Sequence, residues 1–270
     1  MILLLGQHSD PVLRHFGRFL KRGDRSFVFI NVDHIGREIL LNRDCLSLKG
    51  EIVSEHSIQG VFNRWFSMPT DLTSSHRYLL HCLNYRWPNV INKPIANQSN
   101  TSKLFQIEFM RQMGLSIPDS VVVCGPHPSL KGDWIYKSIS GVRSIVERVS
   151  HCAQSVVREP VLFQKFIDGL NIRVHVTSVA VSAIGMASDA VDYRYSQDVN
   201  PLVIQLPKLI IDQCQSVRQA LGLRFCGIDL IVKDRTYYFL EVNPMPAYSY
   251  FEDFSKHQTV SKALYEEIIQ

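Results

Sequence analysis

Apolar and polar residues alternate with two different periods along the first third of the chain. Residues 2–5 are an unbroken apolar run, and a second apolar run, which only Asn31 interrupts, covers 27–32. Between them, apolar residues recur at the spacing of one helix face, at Val12, Leu13, Phe16, Phe19 and Leu20. Strand, helix and strand in this order are typical of a parallel αβ layer, with residues 6–10 at the carboxyl end of its first strand. Those residues contain no glycine-rich fingerprint, so the pattern does not predict a dinucleotide site.

A polar, turn-rich stretch interrupts the pattern between Trp87 and Thr101, where asparagine, proline and serine accumulate. We expect a domain boundary near Pro94. A helix is predicted to follow, capped near Asn100 and ending at Gly114.

Beyond that helix the apolar runs have the length of strands. They cover residues 120–124, 134–139, 161–167, 172–179, 181–187 and 202–206. A further helix is predicted over residues 209–221, ending at Gly222. Consecutive strands mixed with helices, without internal repeats, predict the α+β class.

The last two strand-like runs flank a tight turn at residues 233–236 and predict a hairpin. If the turn centres near Arg235, Asp229 lies opposite Glu241, and Asn243 shares a face with Glu241 because strand side chains alternate. Like charges opposite each other destabilise a sheet unless a cation offsets them. Two carboxylates and an amide oxygen suit Mg²⁺, while a half-solvated strand face with scattered acids is the alternative.

Two lysines are candidates for binding phosphate. Lys137 lies near the end of an apolar strand, just before the small turn Ser140-Gly141, whose backbone N–H groups could cradle phosphate oxygens. Lys103 lies in the first turn of its predicted helix, where the helix dipole disfavours a cation. For both residues an ordinary solvated lysine is the alternative.

Two arginines lie inside strand-like sequence, Arg173 before Val174 and Arg194 after Tyr193. An arginine on a sheet face can bind carboxylate or phosphate oxygens with both arms of its guanidinium. Pairing with a neighbouring acid is the alternative for each.

Charge and cysteine content indicate which classes of partner, and which cellular compartment, we expect. The 270 residues contain 29 Lys+Arg and 25 Asp+Glu, a net charge of +4 without a basic cluster, so we expect neither a nucleic-acid nor a membrane partner. The apolar run at the amino terminus is too short for a signal peptide or a membrane span. The 6 cysteines are far apart and lack metal-site spacing, so we expect reduced thiols in the cytoplasm, with metal ligation or disulfides as alternatives.

Eight short motifs follow one another in a recognisable order. They are residues 100–106 (NTSKLFQ), 114–119 (GLSIPD), Tyr136-Lys137 with Ser140-Gly141, 162–167 (LFQKFI), 171–174 (NIRV), 191–194 (VDYR), Ile228-Asp229 and 240–244 (LEVNP). Together they resemble the ATP-grasp superfamily, and within it the ribosomal-protein glutamate ligases and the ATP-grasp peptide maturases (graspetide synthetases). The likeness covers roughly residues 85 to 250; the first part of the chain fits the superfamily's pre-ATP-grasp domain only loosely.

The resemblance implies an N-terminal αβ pre-ATP-grasp domain over 1–94, a central ATP-grasp lobe over 95–163 and a C-terminal lobe over 164–270. It implies ATP and Mg²⁺, with Mn²⁺ as an alternative metal, bound between the two lobes. The implied nucleotide contacts are Lys103 and Lys137 on the phosphates, Ser140 and Gly141 in the covering turn, Gln164, Lys165, Phe166 and Ile167 at the adenine, and Asp168 at the ribose. The implied metal ligands are Asp229, Glu241 and Asn243.

The implied reaction is transfer of the γ-phosphoryl group to a carboxylate, followed by attack of an amine or hydroxyl on the acyl phosphate. Arg173 would bind the transferring phosphate, and Arg194 the carboxylate of an amino-acid or peptide substrate. A homo-oligomer is left open. The alternatives are a kinase that stops at phosphoryl transfer and a nucleotide-binding regulator without chemistry. Two departures stand out: the turn at Ser140 has few glycines, and Lys165 stands where the glutamate ligases carry an acid.

Overall fold

The computed structural model describes residues 1–37, 39–41, 45–48, 51–65, 72–126, 130–139, 146–149, 156–187, 200–255 and 257–270. The strands are β1 (Ile2–Gly6), β2 (Phe27–Asn31), β3 (Ile39–Leu41), β4 (Cys45–Leu48), β5 (Glu51–Ser54), β6 (Gly60–Asn63), β7 (Val90–Ile91), β8 (Ser120–Pro126), β9 (Trp134–Ser138), β10 (Val146–Arg148), β11 (Val156–Lys165), β12 (Leu170–Thr177), β13 (Val181–Ala187), β14 (Asn200–Ile204), β15 (Phe225–Lys233) and β16 (Thr236–Asn243). The helices are α1 (Pro11–Arg22), α2 (Ser74–His81), α3 (Lys103–Gln112), α4 (Lys208–Ala220), α5 (Ser249–Ser255) and α6 (Thr259–Ile269).

The first sheet is parallel, with the strand order β2-β1-β6-β7. Both of its faces are covered, which is why β1 is apolar throughout. Leu3 and Leu5 pack in the cluster that contains α2, whereas Ile2 and Leu4 pack in the cluster that contains α1. The predicted strand, helix and strand at the start of the chain are therefore confirmed.

The chain returns to this first sheet at its end. Val260, Leu264 and Ile268 of α6 pack in the same cluster as Ile2 and Leu4. Tyr248, which precedes α5, is fully buried there too. The proposed division of the chain at residues 94 and 163 stays a prediction.

Three antiparallel sheets complete the described structure. β3, β4 and β5 form a small sheet within the first third of the chain, which the sequence pattern did not predict. A four-stranded sheet has the order β10-β9-β11-β8, and a five-stranded sheet the order β14-β13-β12-β15-β16. α3 and α4 share one core with β12, β15 and β16, through Met110, Cys214, Val174, Ile228 and Val242.

The connection between the first sheet and α3 differs in detail from the prediction. A 3₁₀ segment, Pro94–Thr101, occupies the turn-rich stretch, and the helix cap is Ser102 rather than Asn100. The Ser102 hydroxyl accepts a hydrogen bond from the N–H of Phe105 at 3.2 Å, which satisfies one of the free donors at the helix start. The predicted stop at Gly114 is confirmed, since this glycine has a φ of +73° just beyond α3.

Within the described residues, no helix is long and apolar enough to cross a membrane.

Candidate active site

A cleft separates the four-stranded sheet from the five-stranded sheet. Its lining on the four-stranded side includes Ile135, Lys137, Val146, Gln164, Lys165, Phe166 and Ile167. Its lining on the other side includes Asn171, Met186, Asp229, Leu230, Ile231, Leu240 and Glu241. Apolar walls with a few convergent charged groups are the usual form of a small-molecule site.

The β15–β16 hairpin brings two carboxylates together at this cleft. Asp229 pairs with Glu241 across the ladder, as the sequence predicted. The register shifts by one residue immediately after this pair, because Leu230 pairs with Phe239 and leaves Leu240 as a bulge. Leu240 and Glu241 therefore both line the cleft, whereas strict alternation had predicted Leu240 on the opposite face.

Asp229 is shared with the neighbouring strand on its other side. Arg173 of β12 pairs with Asp229, and the Arg173 Nε lies 2.7 Å from Asp229 Oδ1. The two side chains are 11% and 23% exposed, so the ion pair is shielded from most of the solvent. A row of three charged residues, Arg173, Asp229 and Glu241, thus crosses three adjacent strands.

The third predicted metal ligand, Asn243, ends β16 opposite Gly227. Its Oδ1 accepts a hydrogen bond from the N–H of Met245 at 2.9 Å, which orients the side-chain amide. Two carboxylates on adjacent strands, with an amide oxygen two residues further on, form an oxygen-only donor set of the kind that Mg²⁺ takes together with phosphate and water. The described residues contain no group of three His, Cys, Asp or Glu side chains that could hold a metal ion by themselves.

Of the two predicted phosphate lysines, Lys137 lines the cleft, whereas Lys103 does not belong to its lining. Lys137 Nζ donates to Gln164 Oε1 at 2.9 Å, and Gln164 Nε2 donates to the Ser120 hydroxyl at 3.1 Å. Lys103 Nζ reaches across from α3 and donates to the carbonyl of Ser138 at 3.0 Å. Lys103 therefore contacts the residue that follows Lys137 on β9.

The residues predicted to meet the adenine, 164–167, which we call the hinge residues, begin with the last two residues of β11. The N–H groups of Lys165 and Phe166 donate to the carbonyls of Asp119 and Asp133 at 2.8 and 2.9 Å, which fixes the path of the backbone. Lys165 Nζ lies 3.8 Å from Asp119 Oδ2, and both side chains are largely exposed. The Arg148 guanidinium stacks over the Phe166 ring at 4.2 Å.

Four predicted site residues that the structure describes do not line the cleft, namely Lys103, Asp168, Arg173 and Asn243. Two of them adjoin lining residues, since Arg173 is paired with Asp229 and Lys103 contacts the residue after Lys137. Asp168 is exposed and does not belong to the lining. Arg194, Ser140 and Gly141 lie outside the described residues.

The sequence did not predict a role for several buried polar residues that contact the backbone next to the predicted metal ligands. Gln106 contacts the backbone of Val242 between Glu241 and Asn243. Asn92 and Arg64 contact the segment after Asn243. Their signal in the sequence is weak, a polar residue within an apolar or turn-rich stretch, because most of their partners in the site are more than 130 residues away.

Burial lowers the pKa of two groups beside the site. Burial, and to a smaller degree the Arg173 guanidinium, lower the pKa of His175 from 6.5 to about 3, so its imidazole is neutral. His175 packs among Phe225, Tyr248 and Phe251. Burial likewise lowers the pKa of the Arg64 guanidinium, and Asp10 opposes this shift.

Similar solved structures cover almost the whole chain. PsnB, an ATP-grasp ligase complexed with a minimal precursor, is 23% identical over 98% of this chain and 98% of its own, with a TM-score of 0.77. The macrocyclase MdnC from Microcystis aeruginosa MRC, bound with precursor peptide MdnA, is 16% identical over 100% of both chains, with a TM-score of 0.76. A RiPP-associated ATP-grasp ligase from Chryseobacterium gregarium, in complex with ADP and a leader and core peptide, is 17% identical over 99% of this chain and 96% of its own, with a TM-score of 0.80. At these identities the likeness establishes the fold.

No curated protein matches the chain in sequence. The family model described as "ATP-grasp domain" matches residues 100–248, which is more than half of the chain. This match begins just before Lys103 and ends beyond Asn243, so it includes both walls of the cleft. It confirms the predicted α+β fold and the predicted superfamily: the chain belongs to the ATP-grasp family.

Proposed function

We propose that the protein is an ATP-dependent ligase that joins a carboxylate to an amine or a hydroxyl on a peptide, through an acyl phosphate. The observation that carries this proposal is the cleft itself. Lys137 stands on one wall, and the paired carboxylates Asp229 and Glu241 stand on the other. A triphosphate with a divalent cation complements these two charges at once.

Each group then has a part in binding. Asp229, Glu241 and Asn243 would hold Mg²⁺, which when bound neutralises charge on the nucleotide phosphates. Lys103 and Lys137 would bind phosphate oxygens, with Ser140 and Gly141 in the covering turn. The hinge residues Gln164, Lys165, Phe166 and Ile167 would meet the adenine, and Asp168 the ribose.

Phosphoryl transfer depends mainly on position and on charge neutralisation. A substrate carboxylate oxygen attacks the γ-phosphorus, the bond to the bridging oxygen breaks, and ADP leaves. Arg173, whose Nε lies 2.7 Å from Asp229 Oδ1, would bind the phosphoryl group during this transfer. The amine or hydroxyl then attacks the acyl carbon and loses its proton, and phosphate departs. We assign Arg194 to the substrate carboxylate.

A peptide is the substrate class that we favour. The solved structures with the same fold include ligases complexed with precursor peptides, among them PsnB, MdnC and the Chryseobacterium ligase. We place the reaction in the cytoplasm, where ATP is supplied and where the described cysteines Cys82, Cys124, Cys214 and Cys226 stay free thiols.

The test is product analysis with purified protein, ATP, Mg²⁺ and a panel of acidic peptides and amino acids. A ligase releases ADP and phosphate only when a carboxylate and a nucleophile are both present, and the product loses one water. Release of AMP and pyrophosphate contradicts the proposal. A stable phosphorylated product identifies a kinase, and nucleotide binding without turnover identifies a regulator.

Matched variants test the site assignment. Glu241→Gln and Lys137→Ala should abolish turnover, because each removes a charge from the cleft. Asp234→Asn and Lys233→Ala are the controls, since they make comparable changes at the exposed turn of the same hairpin. Unchanged turnover in both cleft variants would remove the assignment.

A further inference from the structure

The segment that follows Asn243 is held by side chains from the first sheet. Residues 244–246 accept hydrogen bonds from Arg64 and Asn92, which directly follow the carboxyl ends of the parallel strands β6 and β7. Arg64 also pairs with Asp10, which lies beyond the carboxyl end of β1. In open αβ sheets this edge is where ligands usually bind. Here the protein's own backbone occupies it.

Asn92 is the centre of one half of this contact. Its Nδ2 donates to the carbonyls of Pro244 and Phe225, both at 2.6 Å. Its Oδ1 accepts from the N–H groups of Arg224 and Phe225 at 2.8 and 3.1 Å. Asn63 Nδ2 in turn donates to the backbone carbonyl of Asn92 at 2.9 Å. A side chain that is only 2% exposed thus fixes both the start of β15 and the residue after Asn243.

Arg64 is the centre of the other half. Its Nη1 donates to the carbonyl of Pro246 at 3.0 Å, and its Nε donates to Asp10 Oδ2 at 2.8 Å. Asp10 Oδ1 accepts from the N–H groups of Val12 and Leu13 at the start of α1, so the ion pair is anchored to that helix. Desolvation of a buried ion pair costs free energy, so such a pair often adds no net stability to the fold. We therefore consider what the pair positions rather than how much it stabilises.

Pro246 connects this contact to the face that carries Arg173. A Cβ built on Gly227 would lie 2.7 Å from Pro246 Cβ and 3.0 Å from Arg173 Nη1. Gly227 also pairs with Asn243 across the ladder. The Pro246 ring and the Arg173 guanidinium therefore share the space above one glycine, next to Asn243.

We propose that Asn92 and Arg64 are positioning residues: they hold residues 244–246 so that Asn243 and Arg173 keep the geometry needed to bind a metal–nucleotide complex. This inference rests on the proposed function. It gives the first sheet a defined role in the site, although none of its residues lines the described cleft. Polar groups that orient a ligand typically change metal affinity by about 10- to 100-fold when removed.

The competing explanation is that these contacts only join the first sheet to the rest of the chain. A matched control exists for that explanation. Glu267 of α6 is 3% exposed, pairs with Arg224 at 3.1 Å and accepts from the N–H of Ser178 at 2.9 Å, without touching residues 244–246. Glu267→Gln therefore weakens the contacts between α6 and the rest of the chain and leaves the contacts of residues 244–246 in place.

The experiment measures ADP binding by calorimetry at a series of Mg²⁺ concentrations, together with thermal unfolding, on the full chain. Asn92→Ala should raise the Mg²⁺ concentration for half-maximal ADP binding by about 10-fold or more, while ADP affinity without metal changes less than about twofold. Arg64→Lys keeps the positive charge but shortens the side chain. It should also raise the Mg²⁺ concentration for half-maximal ADP binding, by a smaller factor. Glu267→Gln should lower the unfolding temperature and leave the Mg²⁺ dependence unchanged.

Equal Mg²⁺ dependence in Asn92→Ala and Glu267→Gln overturns the inference. If Asn92→Ala does not fold, Arg64→Lys makes the same comparison. If neither folds, amide hydrogen exchange of the unmodified protein decides: MgADP should slow exchange at residues 63–65 as well as at 245–248, and no change at 63–65 counts against the inference. A protein that binds no MgADP contradicts the proposed function, whereas normal binding with unchanged Mg²⁺ dependence contradicts only the positioning role.

Discussion

The side-chain amide of Gln106 donates to the carbonyl of Val242 at 2.7 Å and accepts from the N–H of the same residue at 2.9 Å. Among the described strands, β16 is at the edge of its sheet, so Gln106 supplies the two hydrogen bonds that a neighbouring strand would make. Val242 lies between Glu241 and Asn243, and Lys103 lies one turn before Gln106 on α3. One side chain thus fixes α3, which carries Lys103, against β16, which carries the proposed metal ligands Glu241 and Asn243.

Replacing this amide with an apolar group of similar size should be costly. Gln106→Leu leaves the buried N–H and carbonyl of Val242 unpaired, and each orphaned group costs about 1–3 kcal/mol. We expect the free energy of unfolding to fall by about 2–4 kcal/mol in chemical denaturation. The control is Gln112→Leu, an exposed position on the same helix, which should change stability by no more than about 0.5 kcal/mol. Equal effects in the two variants would mean that the Val242 contacts contribute nothing.

The row Arg173, Asp229 and Glu241 predicts how ligand binding should stabilise the fold. MgADP at 100 times its dissociation constant should stabilise the native protein by about 2.7 kcal/mol, because it binds only the folded state. Asp229→Asn removes a proposed metal ligand and leaves Arg173 without its carboxylate, so most of that gain should disappear at the same ligand concentration. Thermal unfolding with and without MgADP measures this. Asp234→Asn at the hairpin turn should keep the full gain, and a full gain in Asp229→Asn would exclude Asp229 as a ligand.

The close packing above Gly227 predicts opposite outcomes for the same substitution at two sites. Gly227→Ala forces its methyl group against Pro246 and Arg173, so we expect loss of turnover and about 1–3 kcal/mol of destabilisation from overpacking. Gly17→Ala in α1 would place its methyl group 3.4 Å from Leu4 Cδ1, which is ordinary contact. Because alanine favours the helix over glycine, Gly17→Ala should be neutral or stabilise by about 0.5–1 kcal/mol. Activity assays and denaturation on both variants make the comparison, and an active Gly227→Ala would contradict it.

Local pattern was sufficient for much of the fold. The burial of both faces of β1 and the helix spacing of α1 are both legible in the order of apolar residues. The pairing of Asp229 with Glu241 was predicted from a turn centred at Arg235, but the turn is centred one half-residue earlier, since Lys233 pairs with Thr236. The bulge at Leu240 restores the pair. The prediction was therefore correct only because the bulge cancels the offset of the turn, and the sequence pattern does not predict this bulge.

The contacts that position the candidate site could not be predicted from the local sequence pattern, for a physical reason. Asn92 reaches partners 133 and 152 residues away, and a single asparagine in a turn-rich stretch resembles any other turn residue. The helix cap moved from Asn100 to Ser102 because both residue types cap equally well, and only the packed helix decides between them. Period and composition specify elements, whereas the register between distant elements is decided by the folded core.

His175 should make the fold sensitive to acid. Its pKa is about 3 in the native state, against an ordinary value of 6.5, because burial disfavours the imidazolium and Arg173 adds to that effect. Between these two values the unfolded chain binds a proton that the folded chain does not, so stability falls as the pH falls. Relative to pH 7.5, this one group should cost about 2 kcal/mol at pH 5.

The variant His175→Phe removes that proton and keeps an aromatic ring among Phe225, Tyr248 and Phe251. Its stability, measured by urea unfolding at pH 7.5 and at pH 5, should decline by about 2 kcal/mol less than that of the unmodified protein. His257→Gln, at an exposed histidine, should reproduce the unmodified pH dependence. Because all three proteins contain the same carboxylates, the difference between their stability changes reports on His175. A parallel decline in His175→Phe and the unmodified protein would mean that the native state protonates this imidazole as readily as the unfolded chain does.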